Sequence, residues 1–487
     1  MNTDYRLAEF HLFRMFDKSV LFNVETMLFY EVTPLVYALV TLLSGGNDND
    51  TMKSLKKQYR RIDINDAVVY LKKEGVLKEG TSNVPVRKPT LRKRRGIRHL
   101  ELMVTHGCNL GCSYCYGSNK HEGWEDAPYL YGAKTKGMSY EIAEKGVDFL
   151  FENCGGQKDL SIVFFGGEPL LEFGLIEKIV PYIKKREVES GKKVSLSIST
   201  NGLLLNDKIV DFLVGNGVGC QVSIDGPREI QDKNRSQRDG TGSYERALPG
   251  IKRLLSARRG KVPARATVSH DLVNLLEVVD HLLSLGFGSV HVEPAIGKNG
   301  NAAVTKEDVE KIKRQHETLA DILVKSVRNN RYFNYSNLVR FIRETRVVRE
   351  RLAHYCGAGR TYFALSQDGD FYPCHRFVGM NEYRMGDITR GLDLAIQQKI
   401  LDLTVDNRPV CKDCWARYLC GGGCWKHAVD INGSLEIPDN EFSCEIIRHE
   451  IECAMAINSE LMVSDKDILI DMYEEGAAPY LVNEKGG

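Results

Sequence analysis

Three closely spaced cysteines constrain this chain more than any other feature. Cys108, Cys112 and Cys115 have the spacing Cys-x3-Cys-x2-Cys. Three thiolates this close can hold three irons of a [4Fe–4S] cube and leave the fourth iron open, whereas clusters that only transfer electrons usually have all four irons capped by cysteine. A zinc knuckle or a disulfide set is the alternative, but zinc sites favour Cys-x2-Cys pairs followed by a second pair.

The composition is that of a soluble globular protein. The chain has 487 residues, 43% of them hydrophobic and 27% charged, and its net charge of +1 gives no global field that would attract nucleic acid or an anionic membrane. Met1–Phe10 does not resemble a signal peptide, and the apolar stretch Leu35–Leu43 is too short to span a bilayer. We therefore expect a cytoplasmic protein whose thirteen cysteines serve as metal ligands more readily than as disulfides.

Residues 1–85 are predicted to form a separate, winged-helix-like module. Three strands come first, the third less certain than the others, at Glu9–Arg14, Val20–Val24 and Met27–Val32. Three helices follow, at Pro34–Leu43, Asp50–Tyr59 and Asn65–Glu74. The basic segment 86–98 favours a solvated linker over a contact for an acidic peptide or a nucleic acid.

From residue 99 the chain alternates strands and helices, which predicts an α/β fold with a parallel sheet. Six strands are expected, at His99–Thr105, Ser161–Phe165, Val194–Ser199, Gly219–Ile224, Ala264–Ser269 and Ser289–Glu293. The helices between them are expected at Tyr140–Asn153, Leu175–Val188, Asp207–Val214, Tyr244–Ala257 and Leu272–Leu283. Six such units predict a partial (β/α)6 barrel over residues 99–300, with its chemistry at the C-terminal ends of the strands. The cysteine triplet directly follows the first of these strands.

The C-terminal part of the chain has a different character. Residues 301–350 are predicted to be a helical bridge, and residues 451–487 a helical tail. Between them, seven cysteines lie within residues 356–444, where long hydrophobic periodicity is lost. The segment 351–450 is therefore expected to fold around metal without a large apolar core. Cys154, Cys220 and Cys453 lie outside both cysteine groups and are read as buried small hydrophobes.

Polar residues follow several predicted strands. Two glycines that let a ligand approach the backbone precede a carboxylate that can accept from an ammonium group. Because parallel strand ends share one edge, we expect one ligand site formed by residues that singly would be ordinary turn or capping residues. These are Gly166, Gly167, Glu168 and Pro169 after the second strand, Ser199 and Asn201 at the third, Ser223, Asp225 and Arg235 at or after the fourth, Arg265 on the fifth and Glu293 at the sixth.

The cysteine triplet and the Gly-Gly-Glu-Pro motif resemble the signature of the radical SAM superfamily. The resemblance implies that the open iron chelates S-adenosylmethionine (SAM), which is cleaved reductively to a 5′-deoxyadenosyl radical. Tyr114 would then lie beside the adenine, and the motif 166–169 would contact the SAM amino group. Ser199 and Asn201 suit the SAM ribose or the substrate. Ser223 and Arg235 match residues that hold the SAM ribose and carboxylate in related enzymes. Arg265 points to the same mouth of the predicted barrel.

The later cysteines resemble, spacing for spacing, the SPASM domain of radical SAM peptide maturases. The resemblance implies two auxiliary [4Fe–4S] clusters and three clusters in all. The first auxiliary cluster would be held by Cys356, Cys374 and Cys424, and the second by Cys411, Cys414, Cys420 and Cys444. Some members have an eighth cysteine where this chain has Tyr362, so an open iron that takes a substrate thiolate is implied. A zinc ribbon remains the alternative for 411–424.

Residues around Cys374 bear on the substrate. Sulfatase maturases carry an aspartate after this cysteine as the proposed base, whereas this chain has His375. The run 373–379 resembles thioether-forming maturases, such as the SCIFF-type enzymes and the maturase of the quinohemoprotein amine dehydrogenase γ subunit. The implied function is a cross-link between a substrate cysteine and a carbon of another residue, with Asp225, Asp232 and His375 as candidate bases if they face the cavity. The alternatives are a carbon–carbon cross-link, epimerisation, formylglycine formation, or an iron–sulfur electron carrier without SAM chemistry.

The N-terminal module resembles the peptide-recognition element of these maturases. Such elements bind a leader peptide as an added strand on an exposed sheet edge. The alternative is a DNA-binding winged helix, to which Lys53, Lys56, Lys57, Arg60 and Arg61 lend some weight. The expected partners are a peptide or small protein and a reducing protein such as flavodoxin or ferredoxin, with no membrane and no nucleic acid.

Overall fold

The computed structural model describes residues 5–45, 49–79, 90–91, 96–118, 137–297, 302–346 and 350–475. Most of the predicted linker 86–98 and the end of the predicted tail 451–487 lie outside these ranges. No helix in the described ranges is long and apolar enough to cross a membrane.

The N-terminal module contains the predicted three strands and three helices. Its elements are β1 (Tyr5–Leu7), β2 (Phe10–Met15), β3 (Lys18–Asn23), β4 (Leu28–Val32), α1 (Pro34–Ser44), α2 (Asn49–Gln58), α3 (Arg61–Lys73) and β5 (Leu77–Glu79). Strands β2, β3 and β4 form an antiparallel sheet in that order. The pairing of β1 with β5 was not predicted from the sequence. Helix α1 starts at Pro34 because the Thr33 side chain accepts from the Val36 N–H and proline suits the first helical position.

The two faces of the three-stranded sheet pack against different parts of the molecule. Leu21 belongs to a small core that it shares with α1 and α3. Its neighbours Val20 and Phe22 point to the other face and join the main core of the protein. Strand β2 also contacts a long C-terminal helix through a hydrogen bond from His11 to Glu452. The module is therefore packed onto the body of the protein through one face of its sheet.

The body of the protein is built on a parallel sheet. Its strands are β7 (His99–Thr105), β8 (Asp159–Gly166), β9 (Lys193–Thr200), β10 (Gly219–Ser223), β11 (Pro263–Val268) and β12 (Ser289–Pro294), and the short β6 (Thr90–Leu91) precedes them. The helices are α4 (Tyr140–Asn153), α5 (Phe173–Ser190), α6 (Asp207–Gly215), α7 (Arg228–Asn234), α8 (Tyr244–Ala257) and α9 (Leu275–Ser284). Each strand pairs in parallel with the next, and β12 forms one edge, so the sheet is open. The six predicted strands and their parallel pairing are confirmed, and in the described residues the sheet does not close into a full barrel.

Two strands from the cysteine-rich segment extend this sheet. The segment follows two helices, α10 (Lys306–Arg328) and α11 (Ser336–Arg346). It begins with the short β13 (Glu350–Arg351), which pairs with β6. The two strands that extend the sheet are β14 (Tyr362–Leu365) and β15 (Phe371–Tyr372). Strand β14 pairs in parallel with β7, and β15 pairs antiparallel with β14. Phe363, Leu365 and Phe371 are fully buried in the main core. The expectation that this segment would lack a large apolar core was therefore wrong.

The remaining elements surround the cysteines. They are β16 (Gly386–Asp387), β17 (Gly391–Leu392), α12 (Leu394–Asp402), α13 (Arg417–Cys420), α14 (Trp425–Asn432), α15 (Ser443–Glu460) and α16 (Val463–Glu475). Helix α15 is buried over most of its length and packs against α10 and α11. The first residues of the predicted helical tail 451–487 belong to α15. Its burial on both sides explains why its apolar residues are more numerous than one amphipathic face needs.

Candidate active site

A cavity of about 740 Å³ opens at the C-terminal ends of strands β7 to β12. This volume is in the usual range for ligand sites. Among the residues predicted from the sequence, those that line it are Cys108, Cys112, Tyr114, Cys115, Gly166, Gly167, Ser199, Asn201, Ser223, Arg235, Arg265, Glu293 and His375. Four others do not line it: Glu168, Pro169, Asp225 and Asp232.

The loop that carries the three cysteines is held by backbone hydrogen bonds. The Gly111 N–H donates to Ser236, and the Ser113 N–H donates to Asn234. Arg238 donates from Nε to the Cys108 carbonyl at 2.8 Å. The segment after α7 therefore fixes the loop, although it lies more than a hundred residues further along the chain. Burial raises the pKa of the Cys108 thiol to about 12, so ionisation here needs a strong positive partner such as a metal.

Gly166 is required where the loop meets the end of β8. Its φ of +146° is open mainly to glycine, and a Cβ atom here would lie 2.1 Å from the Thr105 carbonyl oxygen. The next two residues bind the first strand and its loop, because Gly167 donates to the Thr105 carbonyl and Glu168 donates to the Gly107 carbonyl. The Gly-Gly-Glu run thus joins the first two strand ends.

The Glu168 carboxylate is buried beside the cavity and binds two residues that line it. It accepts from the Thr200 hydroxyl at 2.7 Å and from the Asn201 N–H at 2.7 Å. Burial raises its pKa to about 7. The structure thus uses this carboxylate to hold the end of β9. Among the described residues, Oε2 accepts only from the Asn201 N–H and therefore keeps an acceptor position for an ammonium group. Asn201 itself faces the cavity, with its side-chain nitrogen 3.9 Å from Cys108 Sγ.

The Asp225 carboxylate, a predicted candidate base, is engaged by three hydrogen-bond donors. It is fully buried and accepts from Arg235 Nε at 2.9 Å, from the Thr267 N–H at 2.8 Å and from the Tyr114 hydroxyl. The carboxylate thereby orients the Arg235 guanidinium, which lies 5.4 Å from the centre of the Tyr114 ring. Arg235 and Tyr114 both line the cavity, as predicted for residues that hold SAM.

Asp232, another candidate base, does not line the cavity. Its carboxylate accepts from the Tyr244 N–H at 2.8 Å, at the first residue of α8. This capping contact lies outside the cavity, and the nearest cation is Arg228 at 3.4 Å. The only predicted base that lines the cavity, among the described residues, is His375.

His375 forms a cluster with two residues that sequence reasoning did not assign to a site. Its Nδ1 lies 2.8 Å from Glu101 and 2.9 Å from the Tyr362 hydroxyl. The Tyr362 hydroxyl also donates to Glu101. Burial opposes ionisation of Glu101, but His375 and its other partners lower its pKa overall. Because Nδ1 is turned to the carboxylate, Nε2 is the ring nitrogen available to a ligand.

The sequence held a signal for Glu101. It is the single acidic residue in the otherwise buried strand β7, and it is 5% exposed. A buried carboxylate is rarely retained without a partner. That partner could not be named from the sequence, since His375 lies 274 positions away and reaches Glu101 only because β14 pairs with β7.

The wall opposite the cysteine triplet is charged. Arg265 on β11 lies 3.6 Å from Glu293 on β12, and His291 lies 3.1 Å from Glu293. Burial alone would raise the pKa of Glu293, but these two partners hold it well below its usual range. The predicted placement of Arg265 and Glu293 at one mouth agrees with the geometry.

The first predicted auxiliary set lies behind this wall. Cys356, Cys374 and Cys424 are near enough to influence one another electrostatically, and burial is the main cause of the raised pKa of Cys356 and Cys374. Arg376 links the set to the cavity, since its Nη1 lies 3.6 Å from Cys424 Sγ and 2.7 Å from His427 Nε2. Tyr362, at the position of the eighth cysteine, is turned to Glu101 and His375.

The second predicted set surrounds its own small cavity. Cys411, Cys414, Cys420 and Cys444 all line it. All thirteen cysteines of the chain are described, and none forms a disulfide. Within the described ranges, no three His, Cys, Asp or Glu side chains converge on the position of one metal ion. A cubane cluster makes a different demand, because each of its cysteines holds a different iron atom.

A family model of the radical SAM superfamily matches residues 102–268. This part of the chain is similar to a radical SAM domain. The similarity implies SAM and one [4Fe–4S] cluster, and the three cysteines at the cavity, none of them in a disulfide, fit such a cluster by number and chemistry.

Similar proteins extend the comparison. The chain is 30% identical over 180 residues to the radical SAM cyclopropyl synthase TigE of Paramaledivibacter caminithermalis, an alignment that covers 36% of each protein. It is 27% identical to a serine-type anaerobic sulfatase-maturating enzyme of Bacteroides thetaiotaomicron, covering 66% of this chain and 80% of that enzyme. The chain is also 34% identical over 195 residues to the protein MJ0907 of Methanocaldococcus jannaschii. That alignment covers 40% of this chain and 62% of MJ0907.

A solved structure shares the fold. The structure of anSMEcpe with bound AdoMet and Cp18Cys peptide has a TM-score of 0.62 and 21% sequence identity. The superposition covers 76% of this chain and 99% of the other. The shared fold therefore extends well beyond residues 102–268.

Proposed function

We propose that this protein is a radical SAM enzyme that modifies a ribosomally made peptide or small protein. The proposal follows from one observation above all. A single cavity is lined by the cysteine triplet and also by His375 and Arg376, which directly follow Cys374. The ring of Tyr116, the neighbour of Cys115, lies 5.8 Å from the His375 ring and 5.3 Å from the Arg376 guanidinium. This proximity supports a reaction that uses both the triplet and the residues beside Cys374. The volume of the cavity suits SAM together with one residue of a peptide.

The modification that we propose is a thioether cross-link. SAM and the cluster, when bound, supply the radical that removes a hydrogen atom from a substrate carbon. A substrate cysteine must then lose its proton, because thiolate is the reactive form. Bonding of the thiolate to the carbon radical leaves one surplus electron, which the auxiliary clusters would accept. His375 lines the cavity, and Glu101 holds its Nδ1, so Nε2 has the geometry to accept that proton.

The metal ligands divide into three groups on this proposal. Cys108, Cys112 and Cys115 hold the cluster that binds SAM, while Cys356, Cys374 and Cys424 hold the first auxiliary cluster. The second auxiliary cluster takes the remaining four cysteines of the SPASM-like segment. Tyr114, Ser223 and Arg235 are proposed to orient SAM, and Asp225 positions Arg235 by the hydrogen bond described above.

Formylglycine formation in a sulfatase is the second candidate. It is favoured by the similarity to the sulfatase-maturating enzyme of B. thetaiotaomicron. The identity of the residue after Cys374 argues against it, since His375 stands where those maturases carry their proposed aspartate base. The Glu101–His375 pair supplies a different proton acceptor in this position.

The N-terminal module is proposed to bind a leader segment of the substrate. Strand β4 is an edge of the three-stranded sheet, with β3 as its neighbour on one side. Leu28 on β4 and Val69 on α3 are both largely exposed. An extended peptide added to this edge would gain backbone hydrogen bonds and apolar contacts.

Mass spectrometry tests the proposal. The full chain is co-expressed with a small cysteine-containing protein encoded beside it, and the product is compared with that of a Cys112→Ala variant. A loss of two hydrogens with one thiol made unreactive supports a thioether. A loss of two hydrogens with every thiol still free rejects the thioether and favours a carbon–carbon cross-link. An aldehyde at a cysteine or serine supports the second candidate.

A further inference from the structure

Arg408 is a fully buried cation beside the second auxiliary cysteine set. Its side chain is among the largest that are completely buried, at 1% exposure. Nη1 donates to the Gly422 carbonyl at 2.6 Å, and Nε donates to the Glu436 carbonyl at 3.2 Å. The guanidinium also lies 4.4 Å from the centre of the Trp425 ring. Both hydrogen bonds go to neutral groups, so neither neutralises the charge.

The guanidinium has no carboxylate to balance it. In the described part of the chain, Nη2 has no hydrogen-bond partner, although it is buried. Arg417 and Arg448, the two arginines that line the cavity of the four cysteines, differ in this respect, because Arg417 pairs with Glu9 and Arg448 pairs with Glu445. A buried charge without a partner is costly and is rarely retained unless something balances it.

The second cysteine set lies close to the guanidinium, and its thiols become negatively charged thiolates when they hold iron. Gly422 separates Arg408 from this set, and its missing side chain allows the close approach. A Cβ atom at Gly422 would lie 2.7 Å from Arg408 Nη1 and 3.8 Å from Cys411 Sγ.

We propose that Arg408 is the counter-charge of the auxiliary cluster held by Cys411, Cys414, Cys420 and Cys444, and that it raises the reduction potential of that cluster. This inference rests on the proposed function, which assigns a cluster to these cysteines. A cubane with four thiolate ligands is a net anion, and one-electron reduction makes it more negative. A fixed cation in a dry environment stabilises the reduced form, and net charge, hydrogen bonds and solvent exposure are the known controls of such potentials.

A purely structural role is the competing explanation, since Arg408 also ties Gly422 to Glu436. Two substitutions separate the roles. Arg408→Gln removes the charge and keeps an amide donor, whereas Arg408→Lys keeps the charge and loses the planar fork. Lys412→Gln is the matched control, because Lys412 follows Cys411 directly but is exposed, so that water screens its charge.

The experiment is a potentiometric titration followed by electron paramagnetic resonance. The full chain carries Cys108→Ala, Cys112→Ala and Cys115→Ala, so that only auxiliary signals remain, and the second cluster is identified as the signal that Cys411→Ala removes. We expect Arg408→Gln to lower the reduction equilibrium constant of that cluster at least tenfold, which is 59 mV for one electron. Arg408→Lys should shift it by less than half as much, and Lys412→Gln should leave it unchanged.

Each other result has a defined meaning. An unchanged potential in Arg408→Gln at full iron content overturns the inference. Loss of iron in Arg408→Gln but not in Arg408→Lys supports it, because charge then decides whether the cluster is retained. Loss of iron in both variants overturns it in favour of the structural tie. If Cys411→Ala removes no iron and no signal, the assignment of a second auxiliary cluster to these cysteines is rejected, whatever the result for the Arg408 variants.

Discussion

The two cysteine regions of this protein are built in opposite ways. Cys108, Cys112 and Cys115 occupy one short loop after one strand, so a single stretch of chain delivers all three to the cavity. The seven later cysteines are interleaved. Cys420 lines the small cavity with Cys444, whereas Cys424, four residues further on and beyond a glycine link, lies with Cys356 and Cys374.

Because of this difference, the two cysteine regions depend on different parts of the fold. The triplet needs the ends of β7 and β8 and the segment after α7, which hold its loop by backbone hydrogen bonds. The two later sets need α13, α14 and α15 in place at once. We therefore expect the first region to fail in chemistry when it is damaged, and the second to fail in iron content and stability as well.

The largest effect is expected from the triplet. Cys112→Ala should reduce SAM cleavage to background, because the cluster loses a ligand, while the iron of two auxiliary clusters, about eight atoms, is retained. Quantitation of 5′-deoxyadenosine and of iron on the same sample checks this. Cys154→Ala, outside both regions, is the control and should keep both. Loss of all iron in Cys112→Ala would contradict the independence of the two regions.

The second effect concerns the interleaved cysteines. Cys411→Ala should remove about four irons and lower the thermal stability, because the four-cysteine set ties α13 to α15. SAM cleavage without substrate should persist. Iron analysis with a thermal unfolding scan measures both quantities. A variant with unchanged stability and reduced iron would show that these helices pack without the cluster.

A smaller effect is expected where the two regions meet. Glu101→Gln should slow peptide modification by about 100-fold, the low end of general acid–base contributions, because His375 loses the carboxylate that orients it. SAM cleavage should change little, since the hydrogen bonds of Glu101 go to His375 and Tyr362, which are not proposed to bind SAM. Tyr362→Phe removes one hydroxyl from the same cluster and should cost less. Equal losses of modification and SAM cleavage in Glu101→Gln would mean that the strand itself was disturbed.

The smallest effect is expected at the contact of the N-terminal module. Glu9→Gln should lower the free energy of unfolding by about 1 kcal/mol, because it breaks a charge-assisted pair with the nearly buried Arg417. Glu31→Gln breaks a more exposed pair with Lys18 and should cost less than about 0.5 kcal/mol. Chemical denaturation of the iron-loaded protein compares the two. The reverse order would contradict a docking role for Glu9.

Local patterns predicted much of the fold. Helices α4 and α8 begin and end at the predicted residues, and β7 matches its prediction as well. Strand β14 was not predicted, because four apolar residues in a cysteine-rich segment carry no periodic signal. Its partner β7 lies more than 250 positions earlier. Register between distant strands is decided by packing, which no single segment encodes.

The candidate site shows the same division. The resemblance to the SPASM domain, which rests on the cysteine spacing, grouped the four cysteines that the fold brings together around the small cavity. The three donors of Asp225, a candidate base, could not be identified from the sequence because they come from three separate segments. Glu101 could be flagged as an unusual buried charge, but its partner His375 becomes visible only when the sheet is assembled.

Reductive cleavage of SAM is the most direct test of the central claim that this chain is a radical SAM enzyme. The full chain is reconstituted with iron and sulfide under anaerobic conditions, reduced strongly, and supplied with SAM. We predict formation of 5′-deoxyadenosine that depends on Cys108, Cys112 and Cys115 and on the reductant. No 5′-deoxyadenosine from a protein that carries its full complement of iron would contradict the claim and would favour an electron carrier.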